Sequence, residues 1–234
     1  MTIDIKSDLS DLKYKLMEDL KMEILEQISE ALQKGKAKDV KVMVQEAIDS
    51  GIPAQKILME GLLSGMGVIG GKFKNNEVYV PDVLIAARAM KAGTELLKPL
   101  LAADGVKATG KIILGTVKGD LHDIGKNLVG MMMEGKGLEV VDVGTDVSAE
   151  TFVQAAIDNN AQIICCSALL TTTMGEMKAV VEEAKARGIR DKVTIMVGGA
   201  PVNDAFAASI GADIYTADAA SAADAAVASI MARK

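Results

Sequence analysis

Apolar residues recur at intervals of about four through the first third of the chain, then give way beyond residue 110 to short unbroken runs. Leu16, Leu20, Ile24, Ile28 and Leu32 fall on one face of a helix. After the break at Lys34-Gly35-Lys36, Val40, Val44, Ala47 and Ile48 repeat the pattern. Ser50-Gly51-Ile52-Pro53 reads as a stop followed by a start, because proline suits a helix's first turn, where its missing N–H would have no partner. A third helix runs through Ile57, Leu58, Leu62, Val68 and Ile69. Its Gly61, Gly65 and Gly67 lower helix propensity but let another backbone come close. The polar stretch Lys72 to Glu77 predicts a turn, and Pro81 opens a fourth helix that ends near Leu101. Four helices on short connections predict an antiparallel bundle over residues 1–101.

Residues 102–109, small and polar, read as a linker. Beyond it, Lys111 to Thr116 is a buried-strand run, followed by Glu139 to Val143, Gln162 to Cys166 and Val193 to Val197, with Asp213-Ile214-Tyr215 as a fifth. Between them lie helical segments near Gly125 to Gly135, Ser148 to Asn159, Thr173 to Arg187 and Val202 to Ser209. Ser148, with Glu150 behind it, is a helix start. The Ala-rich end from Ala217 is expected to fray. Strands alternating with helices at this spacing predict an α/β domain over residues 110–234, a doubly wound, flavodoxin-like five-stranded parallel sheet.

In such a sheet, ligands bind outside the carboxyl ends of the strands, near the switch in strand order. The single histidine of the chain, His122, lies there, within Gly119 to Asn127, after strand one. Asp120 stands two positions before it and Gly125 three positions after. Imidazole is the commonest metal ligand, and a neighbouring carboxylate can hold it in one tautomer. Ser167 to Thr173, rich in hydroxyls, follows strand three, and Gly198-Gly199-Ala200-Pro201 follows strand four. In the flavodoxin-like order strands one, three and four are neighbours, so the three loops share one crevice. Each loop also has a plainer reading. The hydroxyls could cap the next helix, the glycine pair could be a tight turn, and Lys126 could be a solvated charge. Their joint occurrence, in order and after strands, favours a binding site.

Composition narrows the ligand. Half of the 234 residues are hydrophobic and only 3% aromatic, with a net charge of −6 and a pI near 5.0. That balance gives no footprint for nucleic acid. No apolar stretch is long enough for a membrane span and no signal-peptide pattern opens the chain, so a cytoplasmic protein is expected. Neither a P-loop nor a G-x-G-x-x-G sequence follows any strand. Cys165 and Cys166, adjacent in an apolar run, read as buried structural thiols on opposite sides of a strand. One histidine and two such cysteines are too few for zinc. What fits is a metal whose other ligands come with a cofactor, as a corrin ring supplies four.

With these loops assembled, the chain resembles the corrinoid proteins of methanol and methylamine methyltransferase systems, and is similar to the cobalamin-binding region of cobalamin-dependent methionine synthase. The resemblance spans nearly the full length and rests on Gly119 to Asn127, Ser167 to Thr171 and Gly198-Gly199-Ala200-Pro201, in the family order. It implies cobalamin or a related corrinoid, carried as methylcobalamin, with His122 as the axial cobalt ligand in place of dimethylbenzimidazole. Asp120 would accept the other imidazole N–H, and the Thr173 hydroxyl would extend the relay. Methionine synthase more often has serine at that last place. Ser167 and Thr171 would face the displaced nucleotide tail in a slot beside the sheet, lined by Gly198 and Gly199. Phe73, Val80 and Val83 would cap the upper corrin face.

The resemblance further implies methyl carriage in one-carbon metabolism of the methanogenic or acetogenic kind. Cobalt would take a methyl group from a donor held by a substrate-specific methyltransferase. It would yield that methyl to a second methyltransferase with a thiol or tetrahydropterin acceptor, and a reductive activase would restore oxidised cobalt. The cap must then move, with residues 102–109 as hinge. A radical mutase subunit shares the histidine loop but normally accompanies a barrel. A cobalamin-dependent regulator would need a basic DNA-binding segment, for which residues 1–15 are too short. A flavodoxin-like module without corrinoid is the remaining alternative.

Overall fold

Residues 20–33 form helix α1 and Ala37–Asp49 helix α2, parted by a turn in which Gly35 adopts a φ of +66°. The computed structural model describes residues 20–106 and 108–233. Leu16, the segment 1–15 and, within the expected linker, Lys107 lie outside the described residues. Ile28 and Leu32 of α1 are fully buried, whereas Leu20 is exposed. The reason is geometric: a spacing of four advances about 40° per step on a helix of 3.6 residues per turn, so the start of the stripe rotates out of the core. In α2, Val40, Val44 and Ala47 are buried as expected.

Pro53 caps the next helix from just outside it. Ala54–Lys56 continues through a π-helical stretch, Ile57–Leu63, into Ser64–Lys74, one unbroken helix, α3. Ile57, Leu62, Met66 and Ile69 are buried, while Val68, about 100° round from Ile69, is exposed. Of Gly61, Gly65 and Gly67, the first two lie in close contacts. A Cβ on Gly65 would come within 2.8 Å of the Ser29 carbonyl oxygen, and one on Gly61 within 3.1 Å of Ile28; Gly67 faces open space. Helix α4, Val80–Ala103, starts one residue before Pro81 and runs past Pro99.

The chain divides into two compact units. Among the described residues, one gathers residues 20–69 together with Ile85–Val106; the other joins Gly70–Leu84 to residues 108–233. The end of α3, the connecting turn and the start of α4 therefore group with the sheet. Ala102 and Ala103 of the expected linker belong to α4, which ends in a turn at Asp104–Gly105.

The sheet has five parallel strands in the order β2-β1-β3-β4-β5: β1 Lys111–Val117, β2 Glu139–Val147, β3 Ile163–Ser167, β4 Thr194–Gly198 and β5 Ile214–Tyr215. That is the flavodoxin-like order. Strands β1, β3 and β4 are buried along almost their whole length, which is why they read as unbroken apolar runs rather than alternating ones. On one face, Ile113, Val117, Ile164, Cys166, Ile195 and Val197 share a core with Phe152 and Val153 of α6 (Ala149–Asn159), Met177 and Val181 of α7 (Met174–Ala186) and Ile210 of α8 (Asp204–Ile210). Gly115 lets that layer close up, since a Cβ there would lie 2.7 Å from the Phe152 ring. Cys165 lies outside this core and Cys166 within it, as neighbours on a strand should.

The other face carries α5 (Ile124–Glu134) and α9 (Ala219–Ala232), which pack on each other. The expected fraying from Ala217 is corrected by α9, a fourteen-residue helix with Ala219, Ala220, Ala222, Ala223, Ala226 and Ile230 buried. Alanine is the strongest helix former, and Asp218 caps the first turn by accepting from the Ser221 N–H at 2.8 Å. Small side chains then allow close packing without an amphipathic stripe for periodicity to detect. Ser148 caps α6 as expected, accepting from the Thr151 N–H.

Candidate functional site

The loop after β1 is built around a buried carboxylate. Asp120 is fully buried, and its Oδ1 accepts from both the His122 main-chain N–H at 3.1 Å and the His122 ring Nδ1 at 2.7 Å. Its Oδ2 accepts from the N–H groups of Leu169 and Leu170, at 2.8 and 3.2 Å. Thr173 Oγ1 stands 2.9 Å from the same oxygen. Burial alone would raise the Asp120 carboxyl. The His122 ring and main chain, with the Leu169 and Leu170 amides, outweigh it and hold the group well below the usual carboxylate range. An ionised acceptor at Nδ1 places the proton of neutral imidazole on Nδ1, so Nε2 carries the free lone pair.

The remaining contacts fix the loop to the strands. Asp146, at the end of β2 with a φ of +56°, accepts from the Gly119 N–H at 2.7 Å and donates its own N–H to the Asp120 carbonyl. The Thr116 hydroxyl donates to the His122 carbonyl at 2.8 Å. His122 itself is half exposed, and its Nε2 makes no hydrogen bond among the described residues. Around it the side chains are apolar yet exposed: Leu121 at 74%, Ile124 at 76%, and Leu169 and Leu170 in the facing loop. An apolar rim around an open imidazole nitrogen suits a large flat ligand better than bulk water.

Beside this loop a cavity of about 400 Å³ runs between α5, the ends of β3, β4 and β5, and the start of α9. Leu114, Leu128, Met133, Cys165 and Met196 form its buried part; Ser167, Gly198, Gly199, Tyr215 and Thr216 stand nearer its mouth. A Cβ on Gly199, whose φ is +134°, would sit 1.8 Å from the Ala168 carbonyl oxygen, so only glycine fits. Both cysteines are free and buried. Burial pushes Cys166 up to about 12, and Cys165 higher still, with Cys166 adding to it.

Of the residues singled out in the sequence, Gly125, Ser167, Gly198, Gly199 and Phe73 line the cavity. Asp120, His122 and Thr173 form one hydrogen-bonded chain. Thr171 is exposed and not part of the cavity lining, and Val80 and Val83 are not part of it either, Val80 being half buried and Val83 fully buried. Lys126 is no solvated charge. It is 3% exposed, hydrogen-bonded to Asn127 Oδ1 at 2.8 Å and ion-paired with Asp142 on β2. Sequence reading missed Thr116, Asp142, Asp146 and the Tyr215 to Asp218 wall. Only Thr116, one polar residue within an apolar strand, left any mark in the sequence.

Among the described residues no three His, Cys, Asp or Glu side chains gather as a metal site. The open Nε2 of His122, oriented by Asp120, fits a metal that brings its other ligands with it and takes one nitrogen from the protein. Comparison with known proteins agrees. A B12 binding domain profile matches residues 110–228, and a second profile, also described as a B12 binding domain, matches residues 24–98. The site and fold thus define a B12-binding protein. The chain is 41% identical over 195 residues to a corrinoid protein of Desulfitobacterium hafniense, covering 82% of this chain and 90% of that one. It is 42% identical over 201 residues to the dimethylamine corrinoid protein of Methanosarcina barkeri, covering 85% and 93%. Among solved structures, the methanol:cobalamin methyltransferase complex MtaBC of Methanosarcina barkeri matches with a TM-score of 0.81 at 32% identity, covering 89% of this chain and 80% of that one. A cobalamin-binding protein of Desulfitobacterium hafniense matches with a TM-score of 0.72 at 30% identity, covering 88% and 98%. The chain belongs to the corrinoid protein family, and its cofactor is cobalamin or a related corrinoid. No helix among the described residues is long and apolar enough to cross a membrane.

Proposed function

We propose that this chain is a methyl carrier. It would accept a methyl group on a bound corrinoid from a substrate-specific methyltransferase and present it to a second methyltransferase with a thiol or tetrahydropterin acceptor. The observation that carries the reading is the Asp120–His122 pair, which leaves Nε2 free among exposed apolar side chains. The dimethylamine relative and the methyltransferase complex support the same reading. When bound, the corrinoid supplies a cobalt centre that can take up and release a methyl group.

The residues of the chain do the rest. His122 would ligate through Nε2 because Asp120 holds the proton at Nδ1, and Thr173 Oγ1 steadies the other carboxylate oxygen. Leu121, Ile124, Leu169 and Leu170 would pack on the ring and exclude water. The cavity lined by Ser167, Gly198 and Gly199 would receive the nucleotide tail. Phe73, Val80 and Val83 would supply apolar cover. This cover would have to move to admit each methyltransferase, and a reductive activase would rescue oxidised cofactor. Reconstitution with hydroxocobalamin tests the reading. The wild-type chain, reduced to Co(II), should show nitrogen splitting from one histidine in its electron paramagnetic resonance, and His122→Ala should lack it. Unchanged splitting in His122→Ala overturns the ligand assignment. Loaded protein that exchanges no methyl group with a partner methyltransferase overturns the carrier role.

A further inference from the structure

We infer that Thr116 is a positioning residue for His122: its hydroxyl fixes the histidine main chain, and with it the direction of Nε2. The inference rests on the reading of His122 as a cobalt ligand.

Thr116 is fully buried near the end of β1, a strand otherwise apolar except for its first residue. A buried hydroxyl is unfavourable unless it is hydrogen-bonded. Its partner is the carbonyl of His122, at 2.8 Å. That is an unusual expense of buried polarity on a residue whose side chain is half exposed.

The rest of the loop explains the need. Gly119 and Asp120 are tied to the strands through Asp146 and Val117. From Asp123 onward the chain enters α5, with the Asn127 N–H bonded to the Asp123 carbonyl. His122 stands between these anchored segments. Its main-chain N–H and its Nδ1 both go to one oxygen, Asp120 Oδ1. Two bonds to one oxygen restrain the tilt of the residue about that point less than bonds to two separate anchors would. Among the described residues no hydrogen bond other than that from Thr116 joins the His122 main chain to a strand. Thr116 itself is held in the sheet, paired with Ser167 of β3, and a β-branched side chain has little χ1 freedom. A rigid donor thus acts on the third handle of His122 and restrains that tilt further.

The test compares two pairs of variants that each differ by the hydroxyl while keeping similar shape. Wild type is set against Thr116→Val, and Thr116→Ser against Thr116→Ala, all loaded with hydroxocobalamin and reduced to Co(II). The measurement is the fraction of bound cobalt whose paramagnetic resonance shows histidine nitrogen splitting, with melting temperature recorded alongside. The expected result is at least a twofold lower histidine-ligated fraction in Thr116→Val than in wild type, and in Thr116→Ala than in Thr116→Ser. Should Thr116→Val fail to fold, the serine and alanine pair decides. Equal histidine-ligated fractions within the pairs, whatever the melting temperatures, overturn the inference, because a merely structural hydroxyl would change only stability. Absence of splitting in wild type itself overturns instead the ligand assignment on which the inference stands.

Discussion

Asp120 Oδ1 stands 2.7 Å from His122 Nδ1 while Asp120 Oδ2 gathers the amides of Leu169 and Leu170, so one carboxylate joins the loops after β1 and β3. These donors favour the ionised form, and the Asp120 carboxyl lies well below the ordinary range in the folded chain. A carboxylate lowered on folding contributes stability that is present above its unfolded value, about 3.9, and lost as pH falls through and below it. The cofactor-free chain should therefore lose stability on acidification from roughly pH 5 downward. Asp120→Asn should start less stable and show a flatter decline. Urea midpoints from pH 6 to 3 check this, and parallel curves for the two proteins would contradict it.

Gly199→Ala tests the mouth of the cavity. Its Cβ would lie 1.8 Å from the Ala168 carbonyl oxygen, with a φ of +134° that alanine rarely adopts. Backbone has to move, because no flexible side chain is there to yield. The expected cost is about 2–4 kcal/mol of unfolding free energy, with weaker corrinoid binding. Gly198→Ala, whose Cβ would meet nothing within 4 Å, should be far milder. Denaturant titration of both variants decides, and equal losses would count against the steric account.

The thiols offer a check on the sheet. Cys165 and Cys166 are buried on β3, and burial pushes both thiols up, Cys166 to about 12. Only the thiolate is an effective nucleophile. At pH 8 a thiol reagent should leave the folded chain almost untouched and label both residues once urea unfolds it. Rapid labelling of two thiols in the native protein would mean that they are not shielded as their burial implies.

How much of this was legible beforehand depended on what each residue's signal was made of. The strands could be read because β1, β3 and β4 are covered on both sides and therefore unbroken in apolar character. The crevice beside His122 could be read because the strand order brings the loops after β1, β3 and β4 together. The hydroxyl cluster could not be resolved: Thr171 and Thr172 are exposed and Thr173 buried, a choice made by the turn that carries Leu169 and Leu170 to Asp120. Helix α9 was hidden because alanine on every side leaves no polar face for contrast. Lys126 was hidden because its partner, Asp142, comes from another element, set opposite Leu114 by the parallel register of β1 and β2.

The Lys126–Asp142 pair leads to an asymmetric prediction. Lys126 is 3% exposed and Asp142 is 46% exposed, so the two ends are hydrated very differently. Lys126→Met removes a buried charge, fills similar volume and leaves a carboxylate that water can solvate; the expected change is within about 1 kcal/mol. Asp142→Ala strands an ammonium in the protein with Asn127 as its remaining partner. Breaking a fully buried pair costs about 3–5 kcal/mol, and the exposure of Asp142 reduces this to roughly 1–3 kcal/mol because water can reach that side. The double variant should resemble Lys126→Met rather than the sum of the single changes, since the stranded charge is gone. Urea unfolding of the three cofactor-free proteins measures these differences. Because Lys126 lies in the first turn of α5, just after the His122 loop, Asp142→Ala should also weaken corrinoid binding more than Lys126→Met does. The reverse order of stability would show that Lys126 reaches water, and that the pair at the start of α5 is a surface one.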